Sequence, residues 1–287
     1  MIRAFFMTRN RRIRKLPRES TDSTTGKVLK FDPGRTARPI VPDSVADPEE
    51  ARLLIKIGDN LILQGRLKDA EDRFRRSLKI REKVLGEEHP EVADALDHLG
   101  KLLDRSDRMR EAEACFVRAV RIREQHLRED ASEVSRLAFA ESTIQLGLIR
   151  FLSENSAAAE GPLRKGLEIR VAHLGRDHVT VGQSLYDLGC LLAQIEQLEE
   201  SVACLREALQ IFDGKLPNDE PRVTDCKCAL ADALYQSGVY EEAESLFGEV
   251  LILFETMLPP DDVEVLMVLE GLEDIYEAQL KKLRDES

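Results

Sequence analysis

Residues 78–92 read LKIREKVLGEEHPEV, and a run of the same shape begins again at four later places: VRIREQHLR at Val120, LEIRVAHLG at Leu167, LQIFDGKLP at Leu209 and LILFETMLP at Leu251. The intervals are 42, 47, 42 and 42 residues. Working outward, a small residue lies 20 positions before each run: Gly58, Gly100, Gly147, Gly189 and Ala231. Twelve positions after those come Ala70, Ala112, Ala159, Ser201 and Ala243, and four further on Phe74, Phe116, Leu163, Leu205 and Phe247. Self-similarity at a fixed period marks a stack of identical supersecondary units, each burying its apolar face against its neighbours.

Within a unit the apolar spacing is helical. Leu54, Ile57, Gly58 and Leu61 fall at i, i+3, i+4 and i+7, one stripe of a helix. The polar turn Gln64-Gly65-Arg66 separates them from a second stripe through Leu67, Ala70, Phe74 and Leu78. Each unit is therefore a helical hairpin. A Gly inside a helix costs roughly 1 kcal/mol relative to Ala, so its recurrence implies two helices crossing closely there. Turns such as Gly86-Glu-Glu-His-Pro-Glu-Val and Gly175-Arg-Asp-His-Val-Thr-Val stop one helix and start the next, which assigns His89 and His178 to turn and capping roles. The third unit carries a five-residue insertion near residues 131–140 and has Gly161-Pro162 in its second helix; Pro there should kink the helix or delay its start.

A small residue, Ala twelve positions later and then an aromatic resembles the tetratricopeptide repeat. The 42-residue period and the IRE-x-x-LG-x-x-HP-x-V connection of residues 80–92 resemble the repeats of kinesin light chain and its bacterial relatives. The resemblance spans about residues 50–280. It implies an all-α fold, a right-handed superhelix of about five hairpins plus a C-terminal capping helix, whose concave groove is lined by the first helix of each hairpin. It also implies protein binding rather than catalysis. The paired Asn residues of the kinesin light chain repeats are replaced here by Ile55-Lys56, Asp97-His98, Ile144-Gln145, Tyr186-Asp187 and Cys228-Ala229, so motor cargo recognition does not carry over. Asp59 and Asp232 stand where a carboxylate clamp would want neutral or basic side chains.

Composition agrees. The 287 residues are 43% hydrophobic and 33% charged, with 5% aromatic residues and no Trp, a profile suited to amphipathic helices rather than a β-sandwich. No segment approaches a membrane span. Five cysteines without framework spacing imply a reducing compartment, and buried thiols, rather than disulfides or a zinc knuckle. Residues 1–45 carry eleven Lys or Arg against four Asp or Glu, a net +7, which leaves −19 on the remainder. The chain thus divides into a basic, Pro-rich, disordered tail (1–48), five repeats (49–260) and a capping helix (261–287). Val265, Leu269, Leu272 and Tyr276 are the expected packing face of that last helix. The tail lacks the uninterrupted apolar core of a signal peptide, so the expected compartment is the cytoplasm. Its Arg-rich, acid-poor start is also compatible with a mitochondrial transit peptide, or with nucleic-acid or anionic-membrane contact.

No glycine-rich phosphate loop, H-E-x-x-H or G-x-S-x-G motif is present, so neither catalysis nor a cofactor, metal or small-molecule substrate is expected. The acidic body disfavours nucleic acid. The implied groove positions include ten acidic residues and two basic ones. The expected protein-binding residues are Asp59, Asp94, Asp97, Lys101, Asp232 and Tyr235, with an apolar strip at Ile144, Leu148, Phe151 and Tyr186. A peptide or helix with basic flanks and apolar anchors would complement such a groove; alternatively the acids form a solvated face.

Overall fold

The computed structural model describes residues 47–153 and 155–285; the expected disorder of the tail falls on residues 1–46, which lie outside the described residues. Eleven helices and no strand occur among the described residues. They pair as α1 (Pro48–Leu63) with α2 (Leu67–Leu85), α3 (Pro90–Arg105) with α4 (Met109–His126), α5 (Glu133–Leu152) with α6 (Ser156–Leu174), α7 (Val179–Gln194) with α8 (Leu198–Asp213), and α9 (Pro221–Gln236) with α10 (Tyr240–Met257). A single helix, α11 (Val263–Asp285), follows. Each helix packs chiefly on its two sequence neighbours, and successive first helices also touch one another. That closer approach puts α1, α3, α5, α7, α9 and α11 on the inside of the superhelical curve.

The recurrent small residues are where the two helices of a hairpin cross. A methyl added at Gly58 would stand 2.3 Å from the Phe74 ring, and one at Gly100 2.8 Å from that of Phe116. At Gly147 and Gly189 the same space is filled by Leu163 and Leu205. Buried Ser201 Oγ donates to the Gly189 carbonyl at 2.7 Å, so the polar atom at an otherwise Ala position is satisfied. Both turn histidines cap helices: His89 Nδ1 accepts from the Glu91 amide, and His178 Nδ1 from the Thr180 amide, each at 3.2 Å. In α1 the buried stripe runs through Ala51, Leu54, Ile55, Gly58 and Leu61, whereas Ile57 faces out.

The third hairpin is more regular than its sequence suggests. Helix α6 starts nine residues after Gly147, as α2, α4 and α8 do after Gly58, Gly100 and Gly189. Pro162 does not delay it. A proline has no N–H for the carbonyl four residues back, here that of Ala158. Arg150 Nη1 supplies the missing donor at 3.3 Å while its Nε holds Glu113 at 2.8 Å. The insertion becomes one additional helical turn, making α5 20 residues long against 16 for α1, α3, α7 and α9.

Register between neighbouring second helices is marked by ion pairs 36 residues apart: Arg75–Glu111 (3.7 Å), Arg164–Glu200 (2.6 Å) and Arg206–Glu242 (2.5 Å). They are exposed, so each contributes only about 0.2–1 kcal/mol.

Helix α11 departs from the expected packing face. Val265, Val268 and Ile275 are buried and Leu272 partly so, but Leu269 and Tyr276 point outward. The helix carries two apolar stripes, and the one meeting α10 is the one offset from Leu269 and Tyr276.

Candidate functional site

The candidate site is the inner face built by the first helices. Asp59, Asp94 and Lys101 are exposed on it, and Leu148, Asp232 and Tyr235 are partly buried. Asp97, Ile144, Phe151 and Tyr186 are buried, at 6%, 1%, 4% and 3% exposure. The expected apolar strip is thus corrected: only Leu148 retains accessible surface. Ile144 fills the space over Gly166 of α6, where an added methyl would stand 2.3 Å from its Cγ1. Phe151 and Tyr186 belong to the core joining the third, fourth and fifth hairpins. A groove register alone cannot separate a lining residue from one sinking between two helices.

In the first three hairpins the acids are met by arginines from the second helices. Arg81, Arg123 and Arg170 occupy one position of the recurrent run, near the ends of α2, α4 and α6. Arg123 holds Asp94 at 2.6 Å and also pairs with buried Asp97. Ser142 Oγ of α5 donates to Asp97 at 2.8 Å, closing a network across two hairpins. Arg81 donates to the Glu91 carbonyl and lies 3.9 Å from Asp94. Arg170 pairs with Glu141 and donates to Ser184 Oγ at 2.7 Å. Lys101 reaches the other Glu141 oxygen at 2.9 Å, and His98 faces Asp59 at 3.1 Å. Burial works against ionisation of Glu141, but Lys101 and Arg170 outweigh it and hold the carboxyl below its usual range. Ile55, His98 and these charges line a cleft of about 310 Å³. The first half of the groove is therefore a network of paired charge rather than the acidic surface its first helices alone suggest. The signal lay in the repeat itself, whose Arg position recurs at 81, 123 and 170.

That position then changes character. Phe212 and Phe254 stand where the arginines stood, and the Phe212 ring lies against Gly182 of α7. No guanidinium comes from there to meet the acids of α9 and α11. Burial pushes the Asp225 carboxyl up to about 6, with Glu264 adding repulsion. Asp187 is buried, with Gln183 Nε2 donating to it at 3.0 Å, and burial raises it to about 7 against that hydrogen bond and the pull of Arg170. On the floor of α7, Gln183 Oε1 and the Tyr186 hydroxyl are buried without a hydrogen-bond partner among the described residues.

None of the five cysteines is in a disulfide. Burial pushes Cys115 and Cys204 up to about 11 and raises Cys190 and Cys226 as well, the behaviour of small packing residues rather than nucleophiles. No described helix is long and apolar enough to cross a membrane.

Tetratricopeptide-repeat models match residues 49–125, 182–213 and 223–264. Among solved structures, kinesin light chain tetratricopeptide-like repeats from Podosopora anserina superpose with a TM-score of 0.61 at 20% identity, over 74% of this chain and 98% of that one. BtubC (BKLC) from P. vanneervenii superposes at 0.60 with 20% identity, over 73% and 87%. A signal-transduction ATPase with a tetratricopeptide-repeat sensor, from Pyrococcus horikoshii, superposes at 0.63 with 16% identity, over 80% of this chain and 33% of that one. No curated protein matches the sequence. At these identities the structural likeness speaks for the fold.

Proposed function

The chain belongs to the tetratricopeptide-repeat family, and from that premise we propose that it is a non-catalytic scaffold receiving a protein segment along its first helices, with the partner's basic residues meeting α9 and α11. The observation that carries this reading is the exchange of Arg81, Arg123 and Arg170 for Phe212 and Phe254. It leaves the second half of the groove acidic while the first half compensates its own charge. A basic segment gains most beside the carboxylates that the recurrent arginine position does not serve. Leu148 and Tyr235, both partly accessible, offer apolar contact beside that surface.

The test is affinity capture from native lysate with two charge-matched variants. Asp225→Lys/Asp232→Lys alters the groove, and Glu199→Lys/Glu241→Lys alters exposed positions on the second helices by the same charge. Partners released by the first variant and kept by the second support the reading. Release by the second alone would move binding to the outer face.

The basic segment 1–46 is the internal competitor in this proposal. Its +7 charge complements the acidic half, and exposed ion pairs are weak and salt-sensitive. Cutting before Asp47, which caps α1 through the Glu49 amide at 2.9 Å, is expected to raise partner retention at low salt and leave it unchanged at high salt. Equal retention at low salt would remove the tail from the mechanism.

A further inference from the structure

Helix α11 presents an outward stripe of unusual regularity. Leu266, Leu269, Glu273, Tyr276, Leu280 and Leu283 follow spacings of 3, 4, 3, 4 and 3 residues, the seam of a coiled coil. The five apolar members are 42–61% exposed. The opposite stripe of the helix packs on α10, and of this one the Tyr276 hydroxyl also reaches α10, donating to Glu244 at 3.1 Å.

The charges of the helix are segregated along it. Residues 263–277 hold five acids and no base, whereas residues 278–285 hold Lys281, Lys282 and Arg284 against a single acid. A parallel partner of the same sequence would set acid against acid. An antiparallel one sets the acidic half of each copy against the basic half of the other.

We propose that α11 is a homodimerisation element, and that two copies of this chain associate through antiparallel α11 helices about a two-fold axis near residue 275. Such an axis makes the contact self-complementary. Leu266 lies opposite Leu283 of the second copy, Leu269 opposite Leu280, and Glu273 opposite Tyr276, whose hydroxyl stays with Glu244 of its own chain. On the flank away from the body, Glu270 meets Arg284 of the second copy. Glu277 meets its own counterpart, a like-charge contact that keeps the association moderate. The helix is 23 residues long, so the seam runs roughly 30 Å. The half-exposed seam and its flanks cover on the order of 1,000 Å² over both copies, the lower end of specific interfaces. The dimer is accordingly a reversible one.

Sedimentation equilibrium of the full chain across the micromolar range tests this. The expected result is a monomer–dimer equilibrium. Leu269→Glu/Leu280→Glu, both at exposed positions, is expected to weaken it at least about tenfold with an unchanged helical circular-dichroism spectrum. A charge-swap cycle fixes the orientation without touching the apolar seam: Glu270→Arg and Arg284→Glu each weaken association, and the double variant recovers it. A chain monomeric at 100-fold above the micromolar range, or a dimer indifferent to the Leu269/Leu280 change, overturns the proposal. Failure of the double swap to recover overturns the antiparallel arrangement.

Discussion

At Gly100 a single methyl decides whether the hairpin can close, because it would stand 2.8 Å from the Phe116 ring. Gly100→Ala is therefore expected to destabilise the chain by about 1–3 kcal/mol in urea unfolding, although Ala is the better helix former. Gly248, inside α10, has nothing within 4 Å of the same added methyl; Gly248→Ala should stabilise by up to about 1 kcal/mol. Equal effects at the two sites would contradict the crossing argument. A second residue-scale effect is titration. Asp187 is raised to about 7 in the folded chain by burial, so folding favours its protonated form. The unfolded chain releases that proton near pH 4, hence this group's contribution to stability is full below about pH 4, falls as pH rises towards 7, and is constant above. Asp187→Asn should remove that slope and raise stability at pH 8, measured as the urea midpoint against pH; an unchanged slope would place the titration elsewhere. The recurrence of Gly58, Gly100, Gly147 and Gly189 made the crossings legible in the sequence. The burial of Phe151 and Tyr186 was not legible, because both satisfy a lining register while the next hairpin covers them.

At the scale of single elements, α6 shows how a local fault is absorbed. Pro162 leaves the Ala158 carbonyl without its helical donor, and Arg150 from α5 supplies one. Arg150→Met should cost about 1–2 kcal/mol, from the carbonyl and from Glu113 together. In a Pro162→Ala background, where the helix supplies its own donor, the cost should be smaller; urea unfolding of the four-member cycle measures the difference. An identical cost in both backgrounds would mean that Arg150 acts through Glu113 alone. The sequence marked Gly161-Pro162 as irregular but carried no sign of the rescue, because Arg150 lies on the preceding helix and serves no recurrent function. The insertion before α5 was similarly visible as extra length, while its conversion into a helical turn depended on Ser132 capping the new start through the Ser135 amide at 3.3 Å.

For the molecule as a whole, the repeat period gave away the architecture, and what it hid was the charge pattern. Counting only first-helix residues makes the groove acidic throughout. Arg81, Arg123 and Arg170 reach it from the second helices and compensate the first half, whereas Phe212 and Phe254 restrict the surplus to the second. Side chains long enough to pass between helices belong to both faces of a hairpin, so a periodicity that assigns one face per helix misses them. This division gives the scaffold a direction: the paired-charge half sits at the start of the stack, and the acidic half ends at α11, the helix through which two copies are proposed to join.

Hydrogen–deuterium exchange on the captured partner complex is the most direct test of groove binding. Compared with the unbound chain, added protection should appear in α7, α9 and the first half of α11, with α8 and α10 unchanged. Protection confined to α8 and α10 would put the partner on the outer face and contradict the functional reading, while leaving the repeat fold intact.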